Sequence, residues 1–116
     1  MAFNSCTRVL IVEDDVIIAS MMESIVEDFG YLVVGPASDF GAALNAAKLD
    51  DLDFALLDFN LGGGRNAAPI ASALERRGIP FAFTTGDCPA VIRKIFADAP
   101  IISKPLNDEE LFDLLP

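Results

Sequence analysis

Five short apolar runs alternate with segments whose apolar residues recur at helical spacing. Residues 9–12 read Val-Leu-Ile-Val. This is an unbroken, mostly β-branched run ending at acids, as a strand buried on both faces would be. Residues 16–29 follow with a helical stripe at Ile18, Met21, Met22, Ile25 and Phe29, closed by Gly30. Residues 31–34 predict a second strand, stopped by Gly35-Pro36. Ser38 or Asp39 caps a helix over 39–49, with Phe40, Ala43, Leu44 and Ala47 on one face. Residues 53–57 predict a third strand, and Leu61-Gly62-Gly63-Gly64-Arg65 a permissive turn. A helix over 66–77 has Asn66 as N-cap and Pro69 in its first turn, and Gly78 ends it. Residues 80–84 predict a fourth strand, 89–97 a short helix and 101–103 a fifth strand. Asn107 caps a last helix, with Glu110 three residues on completing a variant of the capping box.

Strand and helix alternate five times. Fully apolar strands between helices imply an α/β fold, with helices on both faces of a five-stranded parallel sheet. Right-handed crossovers make that sheet doubly wound. Ligands of such sheets bind at the carboxyl ends of the strands, where the strand order reverses. The residues just past each strand therefore matter most. They are Glu13, Asp14 and Asp15 after the first, Asp58 after the third, Thr84 and Thr85 after the fourth, and Lys104 followed by Pro105 after the fifth. Each is unremarkable alone, since an acid at a strand end often only caps a helix. Together they bring acids, hydroxyls and one lysine to one edge from four strands.

The remaining composition narrows the chemistry. The chain has 116 residues, the size of one domain, and a net charge of −10. Such acidity opposes nucleic-acid binding, which needs clustered Lys and Arg. The chain has no histidine, and Cys6 and Cys88 lack metal-ligand spacing, which argues against a transition-metal site or a disulfide framework. No apolar run is long enough to cross a membrane, and residues 1–7 lack the features of a secretion signal, so the expected compartment is the cytoplasm. Converging carboxylates repel one another by roughly 4 kcal/mol per pair at about 4 Å. A hard divalent cation relieves this, and Mg²⁺ suits an all-oxygen site completed by water and phosphate.

Four segments carry a resemblance across nearly the whole chain. They are Val9-Leu10-Ile11-Val12-Glu13-Asp14-Asp15, Ala55-Leu56-Leu57-Asp58-Phe59-Asn60, Phe83-Thr84-Thr85-Gly86 and Ser103-Lys104-Pro105. In order and separation they resemble the receiver domain of two-component response regulators, the CheY-like group with a flavodoxin-like fold. The resemblance implies that Asp58 is the phosphoacceptor. It also implies that Mg²⁺ is held by Asp14, Asp58 and the Asn60 carbonyl, with Glu13 acting through water. Lys104 pairs with the phosphoryl group, and Thr85, picked out by Gly86, is the switch hydroxyl. The donor is a histidine kinase or histidine phosphotransferase. The surface for a downstream protein or a second copy is about residues 88–115. Residues 1–7 are then an N-terminal extension to a single receiver domain at 1–116 without an output domain, either stand-alone or cut from a longer protein.

Some positions depart from the family pattern. Ile101 stands where receivers usually carry a switch aromatic. Phe83-Thr84-Thr85-Gly86-Asp87-Cys88 is similar to the Phe-Ala-Thr-Gly-hydrophobic-Tyr motif of an alphaproteobacterial subgroup but lacks its Tyr. Ile101 favours the main alternative, a receiver-like interaction module that works without phosphate. An aspartate-nucleophile phosphatase needs an acid two residues after Asp58, where Asn60 stands. A nucleotide-binding flavodoxin-like domain needs a phosphate-cradling loop after the first strand, where Glu13-Asp14-Asp15 has the wrong charge.

Overall fold

The computed structural model describes residues 7–87 and 89–116. The readings placed on residues 1–6 and on Cys88 lie outside the described residues. The strands are β1 (Arg8–Val12), β2 (Leu32–Ala37), β3 (Phe54–Asp58), β4 (Phe81–Thr85) and β5 (Ile101–Ser103). The helices between and after them are α1 (Val16–Asp28), α2 (Phe40–Leu49), α3 (Ala68–Arg76), α4 (Ala90–Ile95) and α5 (Asp108–Leu114). All strand pairs are parallel, in the order β2-β1-β3-β4-β5. The order reverses between β1 and β3, so a crevice opens beyond their carboxyl ends.

Period-two alternation divides the core into two halves. Leu10, Val12, Leu57, Phe81 and Phe83 face α2, α3 and α4, against Ala43, Ile70, Leu74 and Ile92. Val9, Ile11, Leu56, Ala82 and Ile102 face α1 and α5, against Met22, Val26 and Leu111. Burial of both faces explains why the strands are apolar without alternation. On the first side, Phe83 meets Phe59 edge-on at 5.4 Å and Phe96 at 5.3 Å. Ile101 pairs in register with Phe83 and packs, half-buried, against the same cluster.

Several boundaries differ from the sequence reading. The second strand does not stop at Gly35-Pro36. It starts at Leu32 and runs through both residues to Ala37. β2 is an edge strand, and its register against β1 shifts between the pairs Leu10–Val34 and Val12–Ala37, a bulge that takes up Gly35-Pro36 without ending the strand. Gly35 has φ +94°, and a Cβ there would lie 2.7 Å from the Ala37 nitrogen, so glycine is required. The third helix starts at Ala68, not Asn66. The Asn66 side chain still accepts the Ala68 N–H at 2.9 Å, ordering the turn just ahead of the helix. The fourth helix is trimmed to Ala90–Ile95. Met21, read as part of the core stripe of α1, is exposed, while Ala19, Met22 and Val26 are buried.

The caps expected at Asp39 and Asn107 form. Asp39 accepts the Ala42 N–H, and Asn107 accepts those of Glu109 and Glu110. No helix among the described residues is long and apolar enough to cross a membrane.

Leu10 is fully buried in the centre of the sheet and Leu49 is 77% exposed at the end of α2. Leu10→Ala should cost about 2–5 kcal/mol in urea unfolding, and Leu49→Ala less than about 0.5 kcal/mol. Equal effects would contradict this placement of the core.

Candidate functional site

Glu13 directly follows β1, Asp58 ends β3, and Thr84 pairs with Asp58 in register on β4. By alternation these three side chains share the α1/α5 side of the sheet with Ile11, Leu56 and Ala82. Glu13 and Asp58 are buried, at 1% and 4% exposure. Their backbones are held in place. The Glu13 N–H donates to Ala37 O at 3.1 Å, a bond that depends on β2 continuing past Pro36. The Phe59 N–H donates to Thr84 O at 3.0 Å.

One carboxylate oxygen each of Glu13, Asp14 and Asp58 lies within 4.8 Å of the other two. Asp14 is exposed and forms the mouth of the group. Asp15 stands apart and caps α1, its Oδ1 accepting the N–H groups of Ile17 and Ile18 at 2.9 and 3.1 Å. Lys104 reaches into the group from beyond β5. Its Nζ lies 3.0 Å from Glu13 Oε1 and 3.3 Å from Asp58 Oδ1. The Lys104 N–H anchors the residue on Thr85 O at 2.8 Å.

One ammonium serves two buried carboxylates, and the balance shows in their protonation. Burial, together with the hydrogen bond and charge of Glu13, pushes the Asp58 carboxyl up to about 7, against the opposing pull of Lys104. For Lys104, burial alone would lower the pKa. The hydrogen bond to Glu13 and the charges of Asp58 and Glu13 outweigh it and hold the ammonium above the usual lysine value. Glu13 Oε1 is buried, with the Lys104 ammonium as its partner. Three clustered carboxylates facing a single ammonium fit a hard divalent cation with oxygen ligands.

The sequence-derived candidates divide into two groups. Glu13, Asp14, Asp58 and Lys104 come together. Asn60 lies at the rim, its N–H donating to Asp58 Oδ1 at 3.3 Å and its Nδ2 to Asp87 Oδ2 at 3.1 Å. Thr85 is buried on the opposite side of β4 from Asp58, and its Oγ1 accepts the Asp87 N–H at 3.1 Å.

Two contributors escaped the sequence reading. Asp87 ties the loop after β4 to both Asn60 and Thr85, and an exposed loop acid carries no signal for that. Gly62 has φ +75°, and a Cβ there would lie 3.2 Å from Asp14 Oδ2. The glycine turn is thus a close wall of the acidic cluster. It is closed by Leu61 N–H to Arg65 O at 3.1 Å and Arg65 N–H to Gly62 O at 2.9 Å.

The family model for the response regulator receiver domain matches residues 9–115. No curated protein matches the chain. Among solved structures, the solution structure of SdrG from Sphingomonas melonis Fr1 is similar at a TM-score of 0.83. It shares 35% identity, over 97% of this chain and 95% of that one. The BeF3-activated conformation of SdrG from Pseudomonas melonis Fr1 superposes at 0.77 with 34% identity, over 97% and 94% of the two chains. A CheY-like receiver domain protein from Methanospirillum hungatei JF-1 also superposes at 0.77, with 26% identity over 93% and 89%.

The raised Asp58 pKa has a consequence for stability. Its folded value of about 7 exceeds the ordinary 3.8, so the folded state holds a proton that the unfolded chain releases above about pH 4. Asp58 therefore stabilises the fold at low pH, and that contribution is lost as pH rises to about 7. Thermal melts in EDTA between pH 5 and 8 should show a smaller loss in Asp58→Asn than in the parent. Added Mg²⁺ should offset the parent's loss. A parent that is no more pH-sensitive than the variant over this range would contradict the assignment.

Proposed function

Because the chain belongs to the response-regulator receiver domain family, we propose that Asp58 accepts a phosphoryl group from a phosphohistidine on a histidine kinase or histidine phosphotransferase. Receiver domains are signalling modules, not a catalytic enzyme family, and they pair with histidine kinases. The observation that carries this reading is the buried Asp58 carboxylate at the switch point, between Lys104 and the acids Glu13 and Asp14.

The transfer forms a bond from an Asp58 oxygen to phosphorus and breaks the phosphorus–nitrogen bond. The electron pair returns to the imidazole, which takes up a proton. Such reactions depend on positioning and charge stabilisation more than on covalent assistance. Asp58 is the nucleophile and must be ionised. Lys104 brings an ammonium to the phosphoryl oxygens. Asp14, Asp58 and the Asn60 carbonyl would hold Mg²⁺, with Glu13 acting through water. When bound, the ion neutralises carboxylate and phosphoryl charge. Thr85 serves as the switch hydroxyl. On leaving the Asp87 N–H for the new dianion, it carries the β4–α4 loop with it. That SdrG has a BeF3-activated conformation supports a response of the domain to an anion at this site.

A downstream protein or a second copy would meet the surface of α4, β5 and α5, where Val91 and Ile95 are exposed. Ile101, half-buried on β5, favours a second reading in which that surface binds its partner without phosphate.

Intact mass after incubation with Mg²⁺ and acetyl phosphate separates these readings. The parent should gain one phosphoryl group and Asp58→Asn none. Lys104→Ala should slow the gain about 100-fold while keeping its Mg²⁺ affinity. Labelling of Asp58→Asn would remove Asp58 from the role. An unlabelled parent would favour the phosphate-independent module.

A further inference from the structure

Thr84 is fully buried, and its Oγ1 has no hydrogen-bond partner among the described residues. Buried hydroxyls are usually satisfied, so an orphan calls for a physical reason. Its surroundings suggest one. Thr84 pairs in register with Asp58 on one side and Ile102 on the other. By alternation it lies on the same side of the sheet as Asp58, whereas Thr85 lies on the other. Two strand spacings, about 10 Å, separate β5 from β3. Even so, Lys104, which follows β5, places its Nζ 3.3 Å from Asp58 on β3 and 3.0 Å from Glu13 beyond β1. The lysine side chain must therefore cross β4 on the side where Thr84 stands. Its ammonium has three donors, and two of them are directed at Glu13 and Asp58.

We propose that the Thr84 hydroxyl is a positioning residue for the phosphoacceptor site: it accepts the third hydrogen bond of the Lys104 ammonium when that group moves from Glu13 towards the phosphoryl oxygens. A phosphoryl group on Asp58 draws the ammonium away from Glu13. Thr84, beside Asp58 on the path of the lysine, then offers the acceptor that fixes the ammonium over β4. The two threonines thus have separate tasks. Thr85 reports to the loop on the α4 side, and Thr84 steadies the lysine on the α1/α5 side.

The inference rests on the phosphoacceptor reading, and one experiment separates their failures. Labelling by acetyl phosphate with Mg²⁺ is followed in the parent, Thr84→Val, Thr84→Ser, Lys104→Ala and Lys104→Ala/Thr84→Val. Thr84→Val removes the hydroxyl at nearly constant volume. It should fold, melt no lower than the parent, bind Mg²⁺ as the parent does, and label about tenfold more slowly. Its half-saturating acetyl phosphate concentration should stay unchanged. Thr84→Ser, which keeps the hydroxyl, should recover most of the rate. In the Lys104→Ala background, Thr84→Val should have no further effect, because the two residues act as one unit. Parental labelling by Thr84→Val, or a full effect of Thr84→Val without the lysine, would overturn the role of Thr84 alone. An unlabelled parent would overturn the phosphoacceptor reading and this inference with it.

Discussion

Two carboxylates buried side by side against one lysine form the interaction on which the rest of this structure depends. Glu13 and Asp58 lie at adjacent strand ends, nearly closed off from water, with Asp14 at the mouth. At an effective dielectric near 20, each close pair of such charges costs about 4 kcal/mol. The single Lys104 ammonium offsets part of that. Burial, joined by the hydrogen bond and charge of Glu13, still leaves the Asp58 carboxyl raised to about 7. A site in this condition fits a divalent cation, and under the proposed function a phosphoryl group on Asp58 would meet the Lys104 ammonium. Under the proposed function, the charge imbalance and the phosphoacceptor role are one property of the fold.

The architecture holds this imbalance in place. β1 and β3 sit next to each other at the point where strand order reverses, so their terminal acids cannot move apart without breaking the sheet. β2 continues through Gly35 and Pro36 so that Ala37 O can hold the Glu13 backbone. The glycine turn after Asn60 adopts positive φ at Gly62, Gly63 and Gly64 and closes against Asp14. Asp15, the third acid of the run, is fully used in capping α1. Three consecutive acids thus have three different tasks: one buried, one at the mouth and one structural.

Most of this was legible in the sequence. Continuous apolar runs announced strands buried on both sides, and their ends pointed to Glu13, Asp14, Asp15, Asp58, Thr84, Thr85 and Lys104, among which the family resemblance singled out Thr85. What escaped notice lay in geometry that residue type does not encode. Gly35-Pro36 reads as a strand stop, yet a shift of register against β1 lets the edge strand continue past it. Asn66 has the chemistry of an N-cap, and its side chain bonds the Ala68 N–H while the helix itself begins at Ala68. Asp87 is an ordinary loop acid until folding sets it between Asn60 and Thr85. The division between Thr84 and Thr85 follows from period-two alternation, but only once the strand's direction of burial is known.

The most direct test of the central claim is a two-dimensional nitrogen–proton NMR titration, first with Mg²⁺ and then with beryllofluoride as a phosphoryl mimic. The account predicts that Mg²⁺ shifts the amides around Glu13–Asp15 and Asp58–Asn60. Beryllofluoride should then shift Thr84–Asp87 and Lys104 on the opposite flank of the same crevice. Saturating shifts elsewhere on the molecule, or none at all with either ligand, would contradict it.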